Sequence, residues 1–183
     1  MNIRTIGCVE LNSIATGMNV ADAMVKAATV RLVLARTTCP GRYLVMVSGD
    51  TGAVLNAVDV GRELGGPAVV DWFTLPSVHG SVVPALAGTA VRARIDALGV
   101  IETATTAGSI LAADAAAKAA QVELLDIRFA AGLGGKGFVV MTGDVGSVTA
   151  AVEAGVAGVG EGGPVLSHVV IPSPCEELKA QIL

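Results

Sequence analysis

The spacing of apolar positions changes several times along this chain, and each change marks an element. Residues 4 to 11, RTIGCVEL, are β-branched and alternating, which predicts a strand. Ala21, Met24, Val25 and Ala28 then recur at i, i+3, i+4 and i+7, the spacing of an amphipathic helix. Two short apolar runs, Arg31 to Arg36 and Tyr43 to Val47, predict a strand pair joined by a loop. SGDTGAV sets Asp50 at the N-cap of a second helix, and AVVDWFTL follows as a strand that ends at a proline.

The same order then returns. IGCVELNSIATGMNVADAMVKAATVRLVLAR, from Ile6, aligns with LGVIETATTAGSILAADAAAKAAQVELLDIR, from Leu98, with 12 of 31 positions identical. RYLVMVSGDTGAVLNAV, from Arg42, matches KGFVVMTGDVGSVTAAV, from Lys136, at seven of 17. Asp144 repeats the N-cap of Asp50, and Val148, Ala151, Val152 and Gly155 give that helix its apolar face. GGPAVVDWFTLPSV and GGPVLSHVVIPSP echo each other at the ends. A tandem duplication accounts for this, with a first domain over 1–90 and a second over 97–183. Each copy reads β-α-β-β-α-β, an α+β sandwich of ferredoxin-like class.

Composition narrows the function classes. With 52% hydrophobic and 15% charged residues, the surface is poor in charge, so burial against other chains is expected. A net charge of −4 supplies no clustered basic footprint for nucleic acid. The longest uncharged run, Trp72 to Val91, holds Pro76, Pro84 and His79 and does not read as a membrane span. MNIRTIGCVEL enters a strand pattern at once, without a signal-peptide layout, so a cytosolic protein with reduced cysteines is expected.

Most candidate chemistry fails on context. GLGGKG and GVGEGG fit a dinucleotide fingerprint, yet each leads into a strand instead of a helix and reads as a turn. His79 and His168 occupy non-equivalent repeat positions, with no nucleophile or carboxylate at a recognisable spacing. Asp22 with Lys26, and Asp114 with Lys118, form i,i+4 pairs in both copies, as a structural edge or a solvated helix face would. Cys8 falls in a strand and reads as a small core residue; Cys175, near the C-terminus, carries no pattern. No catalytic constellation remains, and no enzyme is expected.

Cys39 differs. It stands at a loop tip between two strands, pinned by Pro40 and Gly41, with Arg42 adding a positive charge that would favour thiolate. The second copy replaces this turn with a longer, glycine-rich loop. One cysteine per chain cannot hold an iron–sulfur cluster, but three chains around an axis would supply three equivalent thiolates.

GVIETATTAGSILAADAAAKAAQVEL, GKGFVVMTGDVGSVTAAV and VVIPSP resemble the bacterial microcompartment shell domain, and both halves share the likeness. It implies a tandem-domain shell protein whose homotrimers mimic hexagonal tiles beside other microcompartment shell proteins, within the cytoplasmic microcompartment shell. TTCPGRY is similar to the pore loop of a tandem-domain member that binds a [4Fe-4S] cluster on its axis. By that resemblance Cys39 of three chains would ligate three irons, leaving the fourth for a small exogenous ligand. Thr38, Pro40 and Gly41 would shape the pore rim, and Leu133, Gly134 and Gly135 would interleave as the other loops. Lys26 and Lys118 match the lysine that packs neighbouring tiles. The expected function is a wall tile passing electrons through its pore to an encapsulated or cytosolic redox protein. Two rivals stand beside it: a cluster-free metabolite pore, and a small-molecule-sensing trimer outside any compartment. One departure is that the family's terminal Pro-Arg-Pro reads Pro172-Ser173-Pro174 here, without the arginine.

Overall fold

The computed structural model describes residues 5–90, 94–129, 132–160 and 164–182. The first repeat forms β1 (Thr5–Leu11), α1 (Ile14–Ala27), β2 (Val30–Thr38), β3 (Arg42–Gly49), α2 (Thr51–Gly65) and β4 (Val69–Pro76), followed by a short α3 (Val82–Leu86). The second forms β5 (Ala97–Thr103), α4 (Thr106–Ala119), β6 (Glu123–Phe129), β7 (Gly137–Gly143), α5 (Val145–Gly158), β8 (Val165–Ile171) and α6 (Glu176–Ile182). The sheet orders are β2-β3-β1-β4 and β6-β7-β5-β8. Interleaving of this kind is what two split βαβ crossovers produce, and it matches the ferredoxin-like expectation.

The chain divides into two compact units. One runs up to Val78 and includes Thr105–Ala107 and Phe129–Lys136; the other holds the remainder. In the first unit β1 is buried along its whole length, because β3 and β4 flank it and both faces are covered. Val9 and Leu11 pack beneath the helices with Val20, Met24, Val45, Val54 and Val58. Cys8, Glu10, Leu44 and Met46 are buried as well. A thiol so enclosed is held well above its ordinary pKa by burial, and nearby Glu10 adds to this. Cys8 is therefore the core residue expected.

Helix starts follow the expected chemistry with one difference. Asp144 accepts from the Ser147 N–H at 2.9 Å, whereas Asp50 holds the same N-cap position without a side-chain bond. The buried face of α5 is Val148, Ala151, Val152 and Gly155, as the spacing predicts. That of α1 is Gly17, Val20, Ala21 and Met24. Val25 is not in it: the side chain is 39% exposed. The apolar periodicity of α1 is thus wider than the face its own unit covers.

Helix pairs in both units approach through one repeated glycine. A Cβ on Gly61 would meet Met24 Sδ at 2.8 Å; on its counterpart Gly155 it would meet Ile101 Cδ1 at 2.5 Å and the Ala112 carbonyl at 3.0 Å. A carbonyl fixed in a helix cannot give way as a methionine can. Gly155→Ala is therefore expected to cost about 1–3 kcal/mol of unfolding free energy. Gly52→Ala, in open space near the start of α2, should gain about 0.5–1 kcal/mol. Urea denaturation at constant slope measures both.

Candidate functional site

The hairpin between β2 and β3 closes where Thr38 pairs with Arg42, leaving Cys39, Pro40 and Gly41 as its loop. The Cys39–Pro40 peptide is cis, and Gly41 has φ +77°, a left-handed conformation that glycine adopts without strain. Pro40 and Gly41 are exposed, Cys39 is half-buried and free of any disulfide. Thr38 is buried, and its hydroxyl has no hydrogen-bond partner among the described residues.

Arg42 ties this turn down. Its Nη1 donates to Glu10 Oε1 at 2.8 Å and to the Gly135 carbonyl at 3.1 Å. Gly135 sits at φ +92°, and a Cβ there would lie 3.0 Å from Arg42 Cζ and 3.1 Å from Pro40 Cδ. Only a residue without a side chain lets the second loop come this close. Within the first unit, the two loops singled out in the sequence are thereby brought together at Pro40, Arg42 and Gly135. Half-buried Leu133 lies on the second loop, where its carbonyl accepts from the Lys136 N–H at 3.1 Å; Gly134, at φ +62°, is exposed. The positive charge expected to act on Cys39 is instead engaged by a carboxylate and a carbonyl.

Beneath the turn lies a carboxylate pair the sequence reading missed. Glu10 is fully buried, and its second oxygen accepts from the Ala107 N–H at 3.1 Å. Asp71 stands opposite Glu10 on β4; it accepts from the Thr105 hydroxyl and from the Trp72 N–H. Burial pushes both carboxyls above their ordinary values. The bonds from Ala107 and Arg42 oppose the shift at Glu10, and those from Thr105 and Trp72 oppose it at Asp71. One signal could have revealed Glu10: it recurs as Glu102 at the same point of an otherwise apolar strand.

Lys26 is not at the Cys39 turn. Lys26 closes the last turn of α1, and Cys39 follows the far end of β2, nine residues and roughly 30 Å long. Lys26 pairs with Asp22 in the open, whereas Lys118 pairs with a buried Asp114. Asp114 also accepts from the His79 N–H at 2.7 Å, and the His79 ring bonds Ser81. The repeated pair thus has two environments.

The BMC-domain model matches residues 5–78 and 97–174. The chain belongs to the BMC-domain family of bacterial microcompartment shell proteins. It is 42% identical over 180 residues to the microcompartment shell protein PduT of Citrobacter freundii, covering 98% of both chains. A microcompartment protein from Desulfitobacterium hafniense DCB superposes with a TM-score of 0.86 at 48% identity, over 97% of this chain and 99% of that one. A fused permuted hexameric shell protein of the RMM microcompartment gives 0.64 at 25% identity, over 84% and 80%. This BMC chain has no helix, among the described residues, long and apolar enough to cross a membrane.

Glu10→Gln tests the clamp. Both Glu10 oxygens accept, so an amide must turn its NH2 toward a donor and leave that donor unpaired. A loss of about 1–3 kcal/mol at neutral pH is expected. The pH slope should change too. The folded-state pKa of Glu10 lies above the ordinary 4.5, so the folded protein binds more protons there. Wild-type stability then falls as pH rises from about 4.5 through the raised value, and that slope is shallower in the variant. Urea midpoints across this range measure it; equal slopes would contradict a raised Glu10.

Proposed function

We propose that three copies of this chain form a pseudo-hexameric wall tile whose axis gathers Cys39 from each copy to ligate a [4Fe-4S] cluster. The carrying observation is a half-exposed free thiol at the tip of a turn that Arg42 fixes to Glu10 and to the neighbouring loop. The donor set fits such a group only across chains. Among the described residues no cluster of three metal-ligating side chains exists within one chain, while iron–sulfur clusters are held mostly by thiolates. Cys8 is enclosed in the core, so it does not join Cys39.

When bound, the cluster would supply one-electron transfer. The chain's own residues hold the thiol in place, narrow the opening with Pro40, Gly41, Leu133, Gly134 and Gly135, and keep Arg42 paired. Electrons would pass between an encapsulated and a cytosolic redox protein while the wall retains small intermediates. Exposed Lys26 is offered to other shell proteins at the tile rim; Lys118, paired to buried Asp114, is the more enclosed counterpart. The assignment is structural and redox, with no substrate turned over.

Anaerobic reconstitution with iron and sulfide should give a broad absorption near 400 nm and an EPR-active state at about one cluster per three chains. Cys39→Ser should lose both signals and keep the wild-type mass. Identical spectra from the two proteins would remove the cluster and leave a tile with an open metabolite pore.

A further inference from the structure

The first repeat buries a carboxylate that the second lacks. Asp71 of β4 stands opposite Glu10 of β1, whereas the same register in the second repeat sets Ser167 opposite Glu102. Both sheets keep the same strand order, so the fold does not depend on a second acid there. Asp71 is 3% exposed and Glu10 fully buried. Among the described residues, the charged and titratable groups facing Asp71 are Glu10 and Cys8 from β1 and Arg42 from β3. The Thr105–Ala107 segment adds a hydroxyl and an amide without charge. Arg62 of α2 lies on the opposite face of β4, stacked over the Trp72 ring at 3.5 Å. Two buried carboxylates thus share one guanidinium. Both can be ionised together only at a high cost, so over part of the pH range the pair holds a proton.

Hydrogen-bond chemistry decides where that proton sits. Glu10 accepts from Arg42 and from the Ala107 N–H, and Asp71 Oδ1 accepts from the Trp72 N–H. These three groups can donate but cannot accept, so a proton on any of those oxygens would face another donor. Asp71 Oδ2 faces the Thr105 hydroxyl, which can do either. A proton there turns the same contact around, with the carboxyl donating and the hydroxyl accepting, and breaks none of the other three bonds. Burial raises the Asp71 carboxyl above its ordinary range, which widens the window in which the proton is held.

We infer that Asp71 and Thr105 form a proton switch on the Thr105–Ala107 segment and, through Glu10 and Arg42, on the Cys39 turn. With Asp71 protonated, Arg42 serves Glu10 alone and the clamp is tight. As pH rises the proton leaves to water, two carboxylates compete for one guanidinium, and the seat of Thr105–Ala107 loosens. The sign is that of any group binding its proton more tightly when folded: its contribution is present at low pH and lost as pH rises through the folded-state value. The switch stands on this cluster alone and does not depend on a bound iron–sulfur group.

Asparagine at this position mimics the protonated form, since its carbonyl can accept from Trp72 while its NH2 donates to Thr105. Asp71→Asn in the full chain should therefore fold, unlike Glu10→Gln in that its amide meets a partner able to accept. On the alkaline side of the transition it should protect the Ala107 amide from hydrogen exchange better than wild type does. Across the transition the wild-type protection factor, corrected for intrinsic exchange, should fall by up to about tenfold more per pH unit than that of the variant. Carbon-13 NMR of the carboxyl groups should show Asp71 taking its proton before Glu10 as pH is lowered. A variant that fails to fold or protects Ala107 less than wild type, equal slopes in the two proteins, or Glu10 protonated first would overturn the switch.

Discussion

Arg42 and Glu10 make the bond on which the rest depends. A carboxylate with no exposed surface is costly unless its oxygens are engaged, and here one takes the guanidinium while the other takes a helix-start amide. The same guanidinium holds a carbonyl of the glycine-rich loop. Three separated stretches of sequence are thereby fixed at the Cys39 turn. The pair is weak evidence for stability in itself, since burial raises the Glu10 pKa despite Arg42. Its consequence is geometric: it determines where the thiol stands.

Duplication gives the fold its economy and then its asymmetry. Glycines at 61 and 155 let the helices of each unit approach, and the same valines of the second helix recur beneath each sheet. The architecture is shared while the exposure differs: Thr106, Ile110 and Asp114 on α4 are buried, and their counterparts Ile14, Met18 and Asp22 on α1 are exposed. The loops diverge as well. The first repeat's loop carries the cysteine, and the second repeat's loop supplies a glycine small enough to lie against Pro40 and Arg42.

Much of this was legible in the residues. Period-2 and period-3.6 spacing placed the strands and helices, and the 92-residue echo placed the second domain. Val25 misled the reading of α1, because an apolar residue on the exposed side of a helix can fall on the same spacing as one facing the core. The loop cysteine stood out, since burial does not explain a cysteine at a turn. Arg42 was visible as a charge but not as a clamp: its partners are 32 and 93 positions away, and no local pattern encodes such a distance. Asp71 sat within an apolar strand beside a tryptophan and gave no hint that it faced Glu10.

The central claim is that equivalent Cys39 turns from separate chains meet at one axis. Native mass spectrometry of the anaerobically reconstituted protein tests it in a single spectrum. The account predicts three chains carrying the added mass of one four-iron, four-sulfide cluster. A trimer without added mass, or iron and sulfide carried by a single chain, would contradict it.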